Sequence, residues 1–227
     1  MIVKIKCRNL PYEKVTTIRA GKRSLPKKQS AFLRWLLKTL SGPELKKVRF
    51  RYDTEGMEKL GKKEPALFLM NHSSFIDLKI AATLLYPRPF HIICTSDGFV
   101  GKEGLMRKLG CIPAKKFITE AALVRDMIYT VGSLRSSVLM YPEASYSFDG
   151  TATPLPDSIG KLVKKLGVPV VMIRTTGAFL RDPLYNMLQL RNVDVSAKMT
   201  YMLSKEEIVS KSAEDITAAI RELFTFE

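Results

Sequence analysis

The hydrophobic pattern of the chain is an alternation of short apolar runs and longer amphipathic segments. Each run has the length of a buried strand, and the segments between the runs repeat their apolar residues with the period of a helix face. Strands that are apolar on both sides are typical of parallel sheets covered by helices. The runs are "ALFLM" (66–70), "FHIICT" (90–95), "SVLMY" (137–141) and "VPVVMIRT" (168–175).

The order of these elements predicts an α/β fold with a largely parallel central sheet flanked by helices, because strand–helix–strand units connect parallel neighbours. The alternating segment "VRFRYD" (48–53) adds a half-buried strand at the start. A late strand is expected within 193–203 and a final amphipathic helix within 212–224. The helical segments between the strands cover 74–86, 99–109, 119–135 and 157–167.

A basic region precedes this pattern. Residues 1–30 are interrupted by proline and glycine and predict a loosely structured arm, whose first six residues alternate like a short edge strand. The next segment, "SAFLRWLLKTLSG" (30–42), has helical periodicity, with Ser30 as its N-cap and Gly42-Pro43 as its expected end. We therefore divide the chain into a basic arm with an amphipathic helix (1–45) and an α/β domain (46–227).

The amphipathic helix carries a run of large apolar side chains beside basic ones. An ordinary helix packed on the domain and a helix lying in the plane of a membrane surface, with a tryptophan anchor, both fit this pattern. The predicted membrane-interface residues are Phe32, Leu33, Trp35, Leu36, Leu37 and Leu40.

The charge of the chain is concentrated at its front. The formal net charge is +15, and residues 1–63 hold 18 of the 37 basic residues but only 5 of the 22 acidic ones. Such asymmetry indicates a polyanionic partner, either nucleic acid or an anionic membrane surface. The basic segment has few interleaved aromatic residues and no nucleic-acid-binding module, so we expect the membrane and no nucleic acid.

The cysteine count and the apolar runs limit the cellular setting. Three cysteines without CxxC spacing argue against a disulfide framework or a zinc site and favour a reducing compartment. We find neither a signal-peptide pattern nor an apolar run near the roughly 18–20 residues that cross a bilayer. The sequence thus predicts a cytoplasmic protein held peripherally on the inner face of the cell membrane.

Two polar clusters follow buried strands of the predicted sheet. "NHSSFID" (71–77) comes after the strand at 66–70, and "PEASYSFDG" (142–150) comes after the strand at 137–141. Ligands of such sheets bind beyond the carboxyl ends of the strands. If both strands belong to one sheet, we expect the two clusters to meet at one edge.

His72 and Asp77 are the candidate catalytic pair. Their spacing is a little over one helical turn, which lets the carboxylate reach one ring nitrogen and orient the imidazole as a general base. The alternative is an exposed histidine in a loop where Asn71 or Ser73 caps the helix. His91 lies in an apolar strand with no acid nearby, so we expect a core or edge histidine with satisfied hydrogen bonds there.

Other chemistries lack a pattern. The serines are not set in a G-x-S-x-G turn, and the chain has neither a GxxxxGK[ST] nor a GxGxxG loop. Two separated histidines do not make a zinc site. We therefore expect no metal and no nucleotide cofactor.

"NHSSFID" has the form N-H-x4-D, and "YPEAS" (141–145) is similar to the block F-P-E-G-[ST]. With "GCIPAKK" (110–116) and "VPVV" (168–171), these blocks lie in the order found in glycerolipid acyltransferases. The chain resembles the 1-acyl-glycerol-3-phosphate (lysophosphatidic acid) acyltransferases over residues from about 65 to 175.

This resemblance implies transfer of a fatty acyl group from an acyl carrier protein or CoA thioester to the hydroxyl of a lysophospholipid in phospholipid biosynthesis. The acyl thioester would be a co-substrate, with no bound cofactor. His72 would take the proton of the attacking hydroxyl, and Asp77 would orient His72. The implied substrate-binding residues are Asn71, Lys115, Lys116, Pro142, Glu143, Ala144 and Ser145.

The sequence departs from the family pattern at two positions. Tyr146 stands where the third block commonly has an arginine that holds phosphate, and Lys116, beside Lys115, replaces the arginine of the second block. Lysine offers phosphate a point charge in place of a two-pronged guanidinium. The pair at 115–116 also fits an ordinary solvated surface. Two alternatives remain: a thioester or lipid hydrolase using the same His–Asp pair on water, and a basic nucleic-acid-binding protein.

Overall fold

The strands and helices alternate along the chain in the predicted order. The computed structural model describes residues 24–99, 101–115, 120–147, 149–181 and 191–224. The strands in these ranges are β1 Arg51–Glu55, β2 Leu67–Met70, β3 Phe90–Thr95, β4 Cys111–Ala114, β5 Ser137–Met140, β6 Val170–Thr176 and β7 Ser196–Leu203. The helices are α1 Ala31–Lys47, α2 Asp77–Leu84, α3 Glu103–Lys108, α4 Ala121–Gly132, α5 Ile159–Leu166, α6 Ala178–Arg181, α7 Lys205–Ser210 and α8 Ala213–Phe224.

The described strands form one sheet in the order β1-β7-β6-β2-β5-β3-β4. From β6 to β4 all neighbours are parallel, whereas β7 is antiparallel to β6 and β1 is parallel to β7. The largely parallel α/β sheet predicted from the sequence is therefore confirmed. The carboxyl ends of β2, β5 and β6 lie side by side, so the loops that follow them meet at one edge.

Helices cover both faces of the sheet. In β2, Phe68 and Met70 pack into one apolar cluster and Leu67 and Leu69 into the other, because successive strand residues point to opposite faces. α1 and α2 contribute to the first cluster, and α4, α5 and α8 contribute to the second. This two-sided burial explains why the sequence of β2 is an uninterrupted apolar run.

The first helix is longer than predicted. Its expected end was Gly42-Pro43, but it continues through Pro43 to Lys47. Leu45, and Val48 just after the helix, are buried in the core. The free energy gained by this burial outweighs the loss of the one hydrogen bond that the proline cannot donate. Gly42 has no Cβ to clash with the proline ring, which removes one of the steric obstacles to a helix at that position.

Residues 24–30 have no regular secondary structure, yet they are bound to the sheet rather than loose as predicted. Gln29 is buried, donates to the carbonyl of Leu109 at 3.0 Å and accepts the N–H of Phe90 at 3.1 Å. The N–H of Ser30 donates to the carbonyl of Lys108 at 2.9 Å. These hydrogen bonds fix the start of α1 beside β3. The edge strand predicted at residues 1–6 lies outside the described residues.

α1 packs against α2, the helix that begins at Asp77. An ion pair between Glu44 and Lys79 joins the two helices, and Glu44 also lies 3.8 Å from the buried guanidinium of Arg181. Within the described ranges, the helices are all too short or too polar to cross a membrane.

Candidate active site

The loop between β2 and α2 presents His72 at the carboxyl edge of the sheet. Its ring Nδ1 lies 2.9 Å from Oδ2 of Asp77, the first residue of α2. The Asp77 side chain is fully buried, while the His72 side chain is 18% exposed. The spacing of the two residues therefore does place the carboxylate against the imidazole.

The same Asp77 oxygen also organises the loop. It accepts the N–H of Ser73 at 2.7 Å and the N–H of Ser74 at 3.0 Å. A carboxylate at the N-terminus of a helix is electrostatically favourable. Because a carboxylate only accepts hydrogen bonds, we assign the proton to Nδ1 of His72, which leaves a lone pair on Nε2.

The loop after β5 holds the backbone of His72 from the other side. Oε2 of Glu143 accepts the N–H of His72 at 3.1 Å, and the N–H of Ser147 donates to the carbonyl of His72 at 2.7 Å. β5 is the direct neighbour of β2 in the sheet. The predicted meeting of the two polar clusters is confirmed.

Glu143 links three segments of the chain. Its side chain is buried, and its second oxygen, Oε1, accepts the N–H of Thr153 at 3.2 Å. The sequence left open whether this carboxylate shapes the acceptor site or bonds backbone N–H groups in its own turn. In the structure it bonds backbone N–H groups of two other segments. Its part in acceptor binding stays a prediction.

Asn71 joins the end of β2 to β6. Its Oδ1 accepts the N–H of Thr175 at 2.7 Å and the Thr175 hydroxyl at 3.1 Å, while its Nδ2 donates to the Thr175 carbonyl at 3.0 Å. The residue is buried. These bonds fix the position from which His72 projects, and substrate binding by Asn71 stays a prediction.

Aromatic rings lie on both faces of the His72 imidazole. The centroid of Tyr141 is 3.8 Å away with an interplanar angle of 14°, and that of Tyr146 is also 3.8 Å away with an angle of 31°. Phe75 lies 5.6 Å from Tyr146. Burial, reinforced by the Asp77 carboxylate, raises the pKa of the Tyr141 phenol well above its ordinary value, so this ring is neutral at physiological pH.

The remaining predicted residues of the second loop form its turn. Pro142 is buried, whereas Ala144 and Ser145 are exposed. The backbone of Ala144 is left-handed, with φ at +54°, and its N–H donates to the carbonyl of Tyr141 at 3.1 Å. Glycine, which the family block has at this position, adopts this conformation at little cost. Alanine adopts it only with steric strain.

Lys115 follows β4, which lies at the edge of the described sheet, three positions from β2. Its ammonium group is exposed and pairs with Glu120 at 2.5 Å. Lys116 lies outside the described residues. Phosphate binding by these two lysines stays a prediction.

The predicted membrane-interface residues divide into two groups. Phe32, Trp35 and Leu40 are exposed, and the Phe32 and Trp35 rings lie 5.9 Å apart. Phe75, in the loop that carries His72, is 51% exposed. Large apolar side chains are thus exposed on α1, on the loop before α2, and just after α2 at Tyr86. The ammonium group of Lys38, on α1, lies over the Tyr86 ring. The half-buried residues of the set are Leu33, Leu36 and Leu37.

Metal binding has no site in the part of the chain that the structure describes. Among those residues, no three His, Cys, Asp or Glu side chains are grouped to hold a metal ion.

A parallel α/β sheet with an imidazole–carboxylate pair at its carboxyl edge defines a class of sites suited to general-base chemistry on a bound substrate. The sequence model of the family described as Acyltransferase matches residues 51–176, more than half of the chain. The chain belongs to this family and is an acyltransferase.

A solved structure shares the fold. The 1-acyl-sn-glycerophosphate (LPA) acyltransferase PlsC from Thermotoga maritima superimposes with a TM-score of 0.69 and is 16% identical in sequence. The match covers 85% of this chain and 77% of that one. At this level of identity the likeness is one of fold.

Sequence reasoning missed the residues that complete the site through tertiary contacts. Thr175 binds Asn71, Ser147 binds the carbonyl of His72, and Tyr141 and Tyr146 stack on the His72 ring. The only available signal was position, because all four lie at the carboxyl ends of strands adjoining β2 or in the loops just after them. Tyr146 was noted in the sequence only as a departure from the family pattern.

Proposed function

We propose that the protein transfers a fatty acyl group from an acyl thioester, carried by acyl carrier protein or CoA, to the hydroxyl of a lysophospholipid. The best candidate for the acceptor is 1-acyl-glycerol-3-phosphate. The observation that carries this proposal is the 2.9 Å contact between His72 Nδ1 and Asp77 Oδ2 in a member of the acyltransferase family. The fold shared with the lysophosphatidic acid acyltransferase PlsC supports the choice of acceptor.

His72 acts as the general base. Asp77 accepts the Nδ1 proton, so Nε2 is the nitrogen that takes the proton of the acceptor hydroxyl. The oxygen of that hydroxyl attacks the thioester carbonyl carbon as the proton moves to Nε2. Asp77 stabilises the imidazolium that forms, in the way a buried carboxylate does in hydrolase triads.

Collapse of the tetrahedral intermediate breaks the carbon–sulfur bond. The thiolate leaves with the bonding pair, and the proton held by the imidazolium is available to yield the free thiol. The products are the diacyl lipid and the free acyl carrier, with His72 neutral again. A thiolate is a good leaving group, so no covalent acyl-enzyme is required.

The same proposal places the enzyme on an anionic membrane. Phe32, Trp35 and Leu40 are exposed on α1, and the first 63 positions of the sequence are rich in basic residues. Exposed apolar side chains and positive charge together favour adsorption to such a bilayer. α1 packs on the helix that begins at Asp77. A lysolipid resting in that bilayer is then close to His72. We infer peripheral attachment on the cytoplasmic side.

The decisive experiment is mass spectrometry of the products from a panel of lysolipids with each acyl thioester donor. We expect diacyl lipid, with 1-acyl-glycerol-3-phosphate as the preferred acceptor. His72→Ala is expected to lower product formation by about 10³-fold or more. Fatty acid released at the same rate without acceptor would instead identify a hydrolase. Near-normal turnover by the alanine variant would rule out the general-base mechanism.

Membrane attachment is tested by co-sedimentation with anionic liposomes. Because Gln29 is buried in the fold, deletion of the whole arm would disturb the domain, and point substitutions are the cleaner test. The triple change of Phe32, Trp35 and Leu40 to serine should release the protein from liposomes. Val209→Ser, at an exposed position on α7, is the control. Unchanged binding of the triple variant, or a gel shift with random RNA of matching affinity, would contradict the membrane assignment.

A further inference from the structure

Four aromatic rings form a continuous row through the site, in the order Phe75, Tyr146, His72 and Tyr141. The centroid distances along the row are 5.6, 3.8 and 3.8 Å. Phe75 is exposed at the outer end, and Tyr141 packs on the core cluster at the inner end. The row therefore runs from the protein surface to the core and includes the proposed base.

The neighbours of His72 leave its ring little freedom to turn. The Tyr141 and Tyr146 rings cover the two faces, and the Asp77 carboxylate binds Nδ1. Both backbone polar groups of His72 are bonded to the loop after β5. The side chain is nevertheless 18% exposed. With both faces and Nδ1 occupied, the ring edge that carries Nε2 is left for contact with substrate.

We infer that Tyr146 is a positioning residue for acyl transfer: its ring holds the His72 imidazole against Tyr141 so that Nε2 faces the acceptor hydroxyl. The inference rests on the proposed general-base function of His72. The inner ring, Tyr141, packs against the core, so its substitution would disturb core packing. Tyr146 lies in the loop after β5 and can be substituted without that effect.

Two physical effects give this contact a consequence for rate. A reacting group held in the productive orientation avoids the loss of about 10²-fold that accompanies a small misplacement. Rings on both faces also attract the positive charge that the imidazole gains in the transition state, as tyrosine does with other cations. Both effects lower the barrier to proton transfer and do not contribute to substrate binding. Their loss should therefore lower kcat more than it changes KM.

The test compares Tyr146→Leu, Tyr146→Phe and Tyr146→Trp in the full chain. Leucine keeps the apolar bulk and removes the ring, so we expect kcat to fall by roughly 10²-fold with the KM of both substrates little changed. Phenylalanine and tryptophan restore a ring and should restore kcat. Tyr52→Leu removes an exposed tyrosine that stacks on Phe50 away from the site, and it should leave kcat unchanged.

Nuclear magnetic resonance of the imidazole protons provides a readout that does not depend on turnover. The chain has only two histidines, so the His72→Ala variant assigns every ring signal. Ring currents from two stacked tyrosines should move the His72 signals upfield, and Tyr146→Leu should cancel about half of that shift while His91 stays unchanged.

The outcomes separate the two proposals. An upfield shift that falls by about half in Tyr146→Leu, together with the fall in kcat, supports the positioning role. Normal kcat in that variant, or a fall that phenylalanine and tryptophan do not rescue, overturns it. If wild-type protein forms no diacyl lipid, the proposed function fails, and the ring signals still decide whether Tyr146 holds His72.

Discussion

Glu143 holds the backbone of His72: its Oε2 accepts the His72 N–H at 3.1 Å, and its Oε1 accepts the N–H of Thr153 at 3.2 Å. The carboxylate is buried, and each oxygen serves a different segment. These two hydrogen bonds help to fix the position of the proposed base. A buried acceptor with two such bonds is costly to replace.

Glu143→Gln is expected to lower both the stability of the protein and its catalytic rate. The amide keeps one acceptor oxygen, so one of the two backbone N–H groups faces an NH₂ group and loses its partner. We expect the free energy of unfolding to fall by about 1–3 kcal/mol in urea titration. kcat should fall as well, because the His72 loop shifts. Glu58→Gln, at an exposed position, is the control, and an unchanged urea midpoint at Glu143 would contradict the bridging role.

Asp77→Asn is expected to impair catalysis more than folding. All three contacts of this carboxylate are made by Oδ2. An amide oxygen in that place still accepts the N–H groups of Ser73 and Ser74, but the neutral amide no longer stabilises the imidazolium that forms when Nε2 takes a proton. We expect kcat to fall by about 10²- to 10⁴-fold in a thioester assay.

Asp53→Asn is the matched control for this change. Asp53 is exposed on β1, and its described hydrogen bond is with the N–H of the neighbouring Thr54. Equal losses in the two variants would count against an orienting carboxylate at position 77.

Position 144 offers a stabilising substitution. Ala144 has φ at +54° and is exposed, so a glycine relieves a strained backbone without removing any packing. We expect Ala144→Gly to raise the free energy of unfolding by about 0.5–1 kcal/mol. The same change at Ala218, exposed in the middle of α8, should lower it by about 1 kcal/mol. Destabilisation at both positions would show that the left-handed backbone at 144 is not strained.

His91 makes stability depend on pH. Its ring is buried, with Nε2 donating to the carbonyl of Lys27 at 2.8 Å and Nδ1 accepting from the Ser136 hydroxyl at 2.9 Å. The expectation of a core histidine is confirmed. Burial lowers the pKa of His91 below its ordinary value, so the unfolded chain takes up a proton that the folded chain refuses. This contribution to stability is present above about pH 6.5 and is lost as the pH falls below it.

Urea titrations at a series of pH values measure that loss. Wild type should lose up to about 1.4 kcal/mol per pH unit from this group as the pH drops below 6.5. His91→Gln stays neutral, so its stability should change less over the same range, whatever its stability at neutral pH. Parallel curves for the two proteins would rule out His91 as the source.

The sequence alone predicts the strands and helices whose apolar pattern lies within a single segment of the chain. β2 and β3 were predicted within a residue of their observed limits, because buried strands show as apolar runs. The spacing of His72 and Asp77, a little over one turn, allowed their contact, with an exposed loop histidine as the alternative. α7 was missed because it is short, although Ser204 and Glu207 form a capping box that marks its start.

The missed features depend on pairing between distant segments. The stacking of Tyr146 on His72 requires β5 to lie beside β2, and the sequence gives no register for that pairing. The continuation of α1 through Pro43 likewise depends on the burial of Leu45 in the core. Local propensity is a weak guide wherever tertiary packing decides.

The close contact of α5 and α8 gives the most severe prediction for stability. A Cβ on Gly160 would lie 1.9 Å from the carbonyl oxygen of Ala213 and 2.6 Å from the Thr217 hydroxyl, which accepts the Gly160 N–H at 3.1 Å. The obstacle is helix backbone, which cannot move aside without separating the two helices. Gly160→Ala should therefore cost more than the roughly 1–3 kcal/mol typical of overpacking.

Gly104→Ala is the matched control, since nothing lies within 4 Å of a Cβ at this exposed position in α3. That change should raise stability by about 1 kcal/mol, because alanine favours a helix over glycine. Thermal unfolding of both variants measures the contrast. A small effect of Gly160→Ala would mean that α5 and α8 are farther apart than the structure places them, and it would remove the reason for a glycine at this position.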